Sequence, residues 1–164
     1  MPFLTTRRTS VGLTAAALVA GALVAPQSAG ATTADPVLTE LQTLAGAQSA
    51  AEIEQIVDTG RMIATYTDGT SSTIVAAVEL EPGSRALSFV APGCSADSLC
   101  MINTSNSPTA YTGVGSRTGS WKRITSAAAR GRSARFTWGG GALTVGAGQI
   151  NYFGSPVTMT KISR

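Results

Sequence analysis

The chain of 164 residues contains no histidine. That absence removes the commonest general base, the usual activator of a catalytic serine or cysteine, and the most frequent zinc ligand. Hydrolases of the triad kind are thereby set aside. Only two cysteines occur, too few thiolates for a zinc site that has no imidazole to complete it. Beyond the first thirty or so residues no long apolar run appears, so nothing in the remainder is expected to span a bilayer, which takes roughly twenty strongly apolar residues. Acids are missing altogether after Asp97.

What is present begins with Met1 to Ala31. Arg7 and Arg8 supply a positive start, Val11 to Ala25 an apolar run, and Ala29-Gly30-Ala31 the small residues before Thr32. These are the three parts of a secretory signal. Cleavage is expected after Ala31, with Ala34 as the second choice, and the product is expected to be secreted and extracellular. The pair Arg7-Arg8 also suits twin-arginine export, but Thr9 and Ser10 follow where that motif wants large apolar residues, so ordinary secretion is the preferred route. Removing 31 residues leaves 133, comfortable for one domain with a single core.

The overall charge of +3 hides a division. All nine acids lie between Asp35 and Asp97, where Arg61 and Arg85 are the only bases, a net of −7. After Asp97, Arg117, Lys122, Arg123, Arg130, Arg132, Arg135, Lys161 and Arg164 give +8. We therefore read an acidic helix-plus-hairpin segment over residues 32–91 and a basic β domain over 92–164, joined as one compact unit.

Local patterns fill in that frame. Val37, Leu38, Leu41 and Leu44 recur at helical spacing, Gly46 breaks the run, and Ser49 with Glu52 forms a capping-box pattern ahead of Ile53, Ile56 and Val57. Gly60 stands where that second helix should stop. From Arg61 the period becomes two: Met62, Ala64 and Tyr66 alternate, Asp68-Gly69 turns the chain, and Thr73 to Leu80 returns, which is a hairpin. Ala86 to Val90 reads as a further strand between Pro82-Gly83 and Pro92-Gly93. Short runs at Leu99 to Ile102, Ser120 to Ile124, Ala134 to Trp138, Ala142 to Val145, Gln149 to Phe153 and Val157 to Ile162 complete the pattern. The expected class is α+β and mostly β, with short N-terminal helices followed by antiparallel strands in a small sandwich or barrel.

Few residues suggest chemistry. Glu52 with Glu54 diverge on a helix, and Glu79 with Glu81 share a strand end whose plain reading is a solvated edge rather than a glycosidase pair. Gly139-Gly140-Gly141 and Gly113-Val114-Gly115 lack the Lys-Ser/Thr ending of a phosphate loop, so turns explain them. No pattern calls for a metal or a cofactor, and none for catalysis.

Cys94 and Cys100 enclose Ser95-Ala96-Asp97-Ser98-Leu99, and an even count in an exported chain favours a disulfide, worth about 2 kcal/mol by loop entropy. Such a bridge stiffens a loop that could be shown to a partner, or simply pins the start of the basic half. Arg130, Arg132 and Arg135 with Trp121 and its neighbouring aromatics make a basic, ring-bearing half that suits an anionic surface. Alternation of Ala134, Phe136 and Trp138 against Arg135 and Thr137 equally describes an ordinary half-buried strand. The candidate partner-binding residues are thus Ser95, Ala96, Asp97, Ser98, Leu99, Trp121, Arg130, Arg132 and Arg135, and nucleic acid is not expected as the partner.

The order of parts, a leader, a short amphipathic helix ending near Ile56-Val57, a hairpin around Tyr66-Thr67-Asp68-Gly69 and then Gly93-Cys94 to Leu99-Cys100 entering a β region, resembles small secreted actinobacterial proteins of the peptidase inhibitor I36 family. Their cysteine-bridged domain has a βγ-crystallin-like Greek key. The resemblance implies a secreted protease-binding or ligand-binding β domain without catalysis. The chain departs from it in having only two cysteines, and Tyr111-Thr112-Gly113 and Tyr152-Phe153-Gly154 match the crystallin corner loosely. On this basis the chain is expected to be a non-enzymatic binder of an extracellular protein, a protease in the specific form. The alternative is an acidic pro-region released from a cationic antimicrobial or wall-binding domain.

Overall fold

The computed structural model describes residues 35–81 and 94–164. The signal segment, the run Ala86 to Val90 and the Pro92-Gly93 join lie outside these residues.

Two helices come first, α1 (Pro36–Leu44) and α2 (Ala50–Asp58). Asp35 caps α1, its carboxylate accepting the Val37 amide at 3.0 Å, with Pro36 at the first helical position where the missing N–H costs nothing. At α2 the capping box forms as the sequence predicts: the Glu52 amide donates to Ser49 Oγ while Glu52 accepts the Ser49 amide at 2.8 Å. These bonds, backbone first and hydroxyl second, hold the Glu52 carboxyl below its ordinary range. Gly60, at φ +67°, follows the helix.

Among the described residues eight strands form one open, mixed sheet: β1 (Ile63–Thr67), β2 (Ile74–Glu79), β3 (Leu99–Asn103), β4 (Pro108–Tyr111), β5 (Ser116–Ala129), β6 (Ala134–Trp138), β7 (Gly141–Val145) and β8 (Gln149–Ser163). The class is α+β and mostly β, as expected. The order is β2-β1-β8-β5-β3-β4, with β6 on the other half of β8 and β7 on β6. Antiparallel pairing dominates, but β1 runs parallel to β8, Ala64 opposite Ile150 and Thr67 opposite Phe153. The sheet is therefore not wholly antiparallel, because the long route from β1 to β8 lets the two strands meet in the same direction.

Strands β5 and β8 are the organising pair. Each is longer than the runs read from sequence, Ser120 to Ile124 being one part of β5, while Gln149 to Phe153 and Val157 to Ile162 merge into β8. Register shifts between Thr118 and Ser126 mark bulges that bend the pair. The first half of β8 lies between β1 and β5, the second half between β5 and β6. Buried side chains from both branches, including Met101, Phe136, Phe153, Val157 and Met159, then share one core. A second core lies under the helices, where fully buried Leu41 meets Ala64, Ala76, Val78, Ile150 and Tyr152. Burying such a leucine contributes about 2 kcal/mol.

With α1 packed on it and strands on both edges, β1 is buried on both faces. Ile63, Ala64, Thr65 and Thr67 are buried while Met62 is exposed, which corrects the half-buried alternation expected for Met62, Ala64 and Tyr66. The buried hydroxyls are satisfied by Asn151: Thr65 Oγ1 donates to its Oδ1 at 2.8 Å, and its Nδ2 donates to Thr67 Oγ1 at 3.3 Å. At the free edge of β2 the Gln48 amide takes the place of a strand, donating to Ala77 O at 2.9 Å and accepting the Ala77 N–H at 2.8 Å. That shields the edge from pairing with another chain.

Candidate binding surface

The pairings bring three loops to one end of the sheet. Leu99 opens β3, and its register partners are Tyr111 at the end of β4 and Ala129 at the end of β5. The cysteine loop before Leu99 is thus flanked by the 112–115 turn on one side and the 130–133 turn on the other. The Arg130 amide donates to Ser98 O at 3.0 Å, and the Gly131 Cα faces the Asp97 carboxylate so closely that an added Cβ would stand 2.7 Å from Oδ1. Arg130, Arg132 and the cysteine loop, far apart in the chain, therefore belong to one surface.

Cys94 and Cys100 form the disulfide, with their Cα atoms 5.9 Å apart. Within the loop Ser95, Ala96 and Asp97 are exposed, whereas Ser98 and Leu99 are buried, at 0% and 3% exposure. Ser98 and Leu99 thus anchor the loop from below, leaving three of the five loop residues at the surface. Ser98 Oγ donates to Ser95 O at 2.8 Å, closing the turn. The presentable part is three residues.

A further clamp was not legible in the sequence. The Arg164 guanidinium, its side chain only 3% exposed, donates from Nη2 to Asp97 Oδ1 and from Nη1 to the Asp97 carbonyl, both at 2.8 Å. Its backbone pairs in both directions with Gly115, at 2.8 and 2.9 Å. The one acid of the basic half is in this way held by the last base, and the loop is fixed at its centre as well as at its cysteines.

Trp121 and Arg135 are placed differently. Trp121 is half-buried, donates its indole N–H to the Tyr111 hydroxyl at 2.9 Å and meets that ring edge-on at 5.8 Å. Arg117, legible in the sequence only as charge, sets its guanidinium 5.2 Å from the same ring. Arg135 stands on the exposed face of β6, in reach of Thr144 Oγ1 at 3.4 Å, while Ala134, Phe136 and Trp138 are buried. The strand reading of that segment holds.

The other constellations resolve as structure. Glu79 is exposed and paired with Arg61 at 2.8 Å, and Glu81 lines an open hollow with Arg61, Met62 and Leu80. The glycine run after β6 packs against the β1–β2 turn: a Cβ on Gly140 would lie 2.3 Å from Thr70 O, and Trp138 donates to Gly69 O at 3.0 Å. Among the described residues no group of three or more Cys, Asp or Glu side chains is placed to hold a metal, and no helix is long and apolar enough to cross a membrane. No protein-family model, curated protein or solved structure matches the chain.

Proposed function

We propose that this is an exported, non-enzymatic binding protein that presents Ser95-Ala96-Asp97 to a protein partner, with protease inhibition as the specific form. One observation supports the reading above others. Three exposed residues sit on a loop fixed by a disulfide at its ends, by buried Ser98 and Leu99 at its base and by Arg164 at Asp97. An inhibitory loop has to enter a cleft without losing conformational freedom at that moment, and a loop ordered beforehand avoids that cost. The resemblance to secreted peptidase inhibitors points the same way, as does the lack of histidine.

The test is a panel of extracellular serine, cysteine and metalloproteases titrated with the protein. Inhibition that is lost in a folded Cys94→Ser, Cys100→Ser double variant supports the loop. Equal inhibition constants for the two proteins would sink it.

The alternative, release of residues 32–91 as a pro-region, fits the charge division but sits poorly with the ladder. Strand β1 lies between β2 and β8, and Tyr152 of β8 packs under α1, so release would strip a strand and a helical layer from the basic part. The intact mass of the secreted protein, with and without reduction, separates the readings. A species near Thr32 to Arg164, two mass units lighter before reduction, fits the one-piece binder; a fragment starting near Pro92 fits the pro-region.

A further inference from the structure

We propose a second contact site beside the loop: a cleft that takes an extended acidic peptide segment, its carboxylate on Arg117 and a neighbouring aliphatic side chain against Val114. The proposal rests on the binding reading above in one respect, that the segment belongs to the partner met by Ser95-Ala96-Asp97.

The cleft has about 180 Å³ and runs along Tyr111 to Arg117 and Ile162 to Arg164, with Leu99 in its floor. That is smaller than the roughly 300–1,000 Å³ of small-molecule pockets, and it suits one side chain with its backbone. Three features give it a chemistry. Arg117 has no carboxylate partner among the described residues, yet the Tyr111 ring beneath it and the pairing of Arg117 with Ile162 hold it in place. The Tyr111 ring is itself fixed by the Trp121 indole, so the cation stands on a braced platform. Val114, 73% exposed, projects from a turn whose glycines take φ +86° and +126°, and it is an apolar group with nothing over it.

Charge complementarity names the occupant. Asp97, the one acid of the basic half, is already bonded to Arg164, and Arg117 pairs with no acid among the described residues, so a carboxylate for it has to come from outside. Arg164 also joins the two sites, since its guanidinium holds the loop and its backbone holds Gly115 in the cleft wall.

The test is a titration of the folded protein with a short blocked peptide carrying Leu-Asp at its centre, followed by the amide and indole N–H resonances of the labelled protein. Shifts should gather at Tyr111 to Arg117, Arg164 and the Trp121 indole. Arg117→Gln should weaken binding about tenfold or more, Arg117→Lys less, because a charged hydrogen bond outweighs a neutral one. Val114→Asp, at an exposed tip where folding is safe, should weaken it by repulsion. Raising salt from roughly 0.05 to 0.5 M should weaken it too. Shifts elsewhere, or equal affinity in Arg117→Gln and Val114→Asp, would overturn the site. Binding of a polyanionic wall polymer at the same residues, with no peptide binding, would overturn the choice of occupant. Failure of the loop reading is distinguishable: peptide binding at Arg117 with a blank protease panel leaves the cleft without the inhibitor, and inhibition unchanged in both cleft variants leaves the inhibitor without the cleft.

Discussion

Replacing Asp97 by alanine tests whether the Arg164 clamp holds the loop. The Arg164 side chain is 3% exposed, while that of Asp97 is 64% exposed. Breaking a fully buried pair costs about 3–5 kcal/mol, and an exposed pair contributes about 0–1 kcal/mol. One buried and one solvated partner place Asp97→Ala between these, at about 2 kcal/mol, because Arg164 loses a charged bond yet keeps the one to the Asp97 carbonyl. Asp97→Asn, which can still accept from Nη2, should lose about half as much. Arg164→Met should cost less than Asp97→Ala, since removing a buried charge also removes its desolvation penalty. The Nε of Arg164, buried without a partner, adds to that relief. Urea unfolding of wild type, the two single variants and the double variant completes a cycle, and the double should lie near Arg164→Met with a coupling of about 1–2 kcal/mol. Additivity within about 0.5 kcal/mol would refute the clamp.

Three further outcomes follow from other parts of the molecule. Burial first, and then the Asp35 carboxylate accepting from its hydroxyl at 2.7 Å, push the Tyr152 phenol well above its ordinary 10.0. Because the unfolded chain then loses that proton while the folded one keeps it, stability should fall by about 1.4 kcal/mol per pH unit above pH ~10. Tyr152→Phe should remove this component of the slope in a pH series of denaturation curves, and an unchanged slope would refute it. Gly140→Ala should cost about 2 kcal/mol and redden Trp138 emission, because the new Cβ meets Thr70 O, whereas Gly139→Ala, with open space, should be near neutral; equal costs would refute the close-packing account. Arg123→Gly should stabilise by about 0.5–1 kcal/mol, since an L-residue at φ +59° costs about 1–2 kcal/mol and glycine returns about 0.5–1 of it through unfolded-state entropy; a lower thermal midpoint would show that the Arg123 side chain is needed where it stands.

How far the sequence carried depends on the range of each interaction. The capping box at Ser49 and Glu52, the hairpin turn at Asp68-Gly69 and the alternation from Ala134 to Trp138 are written within a few residues, and each is found where expected. The parallel ladder of β1 on β8 joins residues such as Ala64 and Ile150, and nothing local in either strand announces the other. The long strands show in the sequence only as fragments, because bulges break the alternation of β5 near Lys122 and Arg123. Strand β4 is hidden because Pro108-Thr109-Ala110-Tyr111 neither alternates nor forms an apolar run. At the candidate surface, the disulfide is legible from cysteine count, but the meeting of Asp97 with Arg164 and of Tyr111 with Arg117 and Trp121 depends on the order of strands.

That order also converts the charge division into a spatial one. Along the end of the sheet that carries the loop, the sequence from edge to edge is β2, β1, β8, β5, β3 and β4. Glu79 and Glu81 stand at the first edge, with Arg61 paired to one of them, while Arg132 follows β5 and Arg117 opens β5 after the turn that leaves β4. The acids of β2 therefore stand at the edge away from the loop and the bases Arg132 and Arg117 close to it, with the Asp97 carboxylate bonded to Arg164. A gradient of this kind orients an approaching partner before contact and acts mainly on the association rate. A partner with an acidic segment would be drawn toward the bases beside the loop. Exchanging the sign at Arg132 alone, which takes no part in the disulfide or the Arg164 clamp, should therefore slow association while leaving dissociation nearly unchanged. An effect on dissociation instead would mean that Arg132 touches the partner.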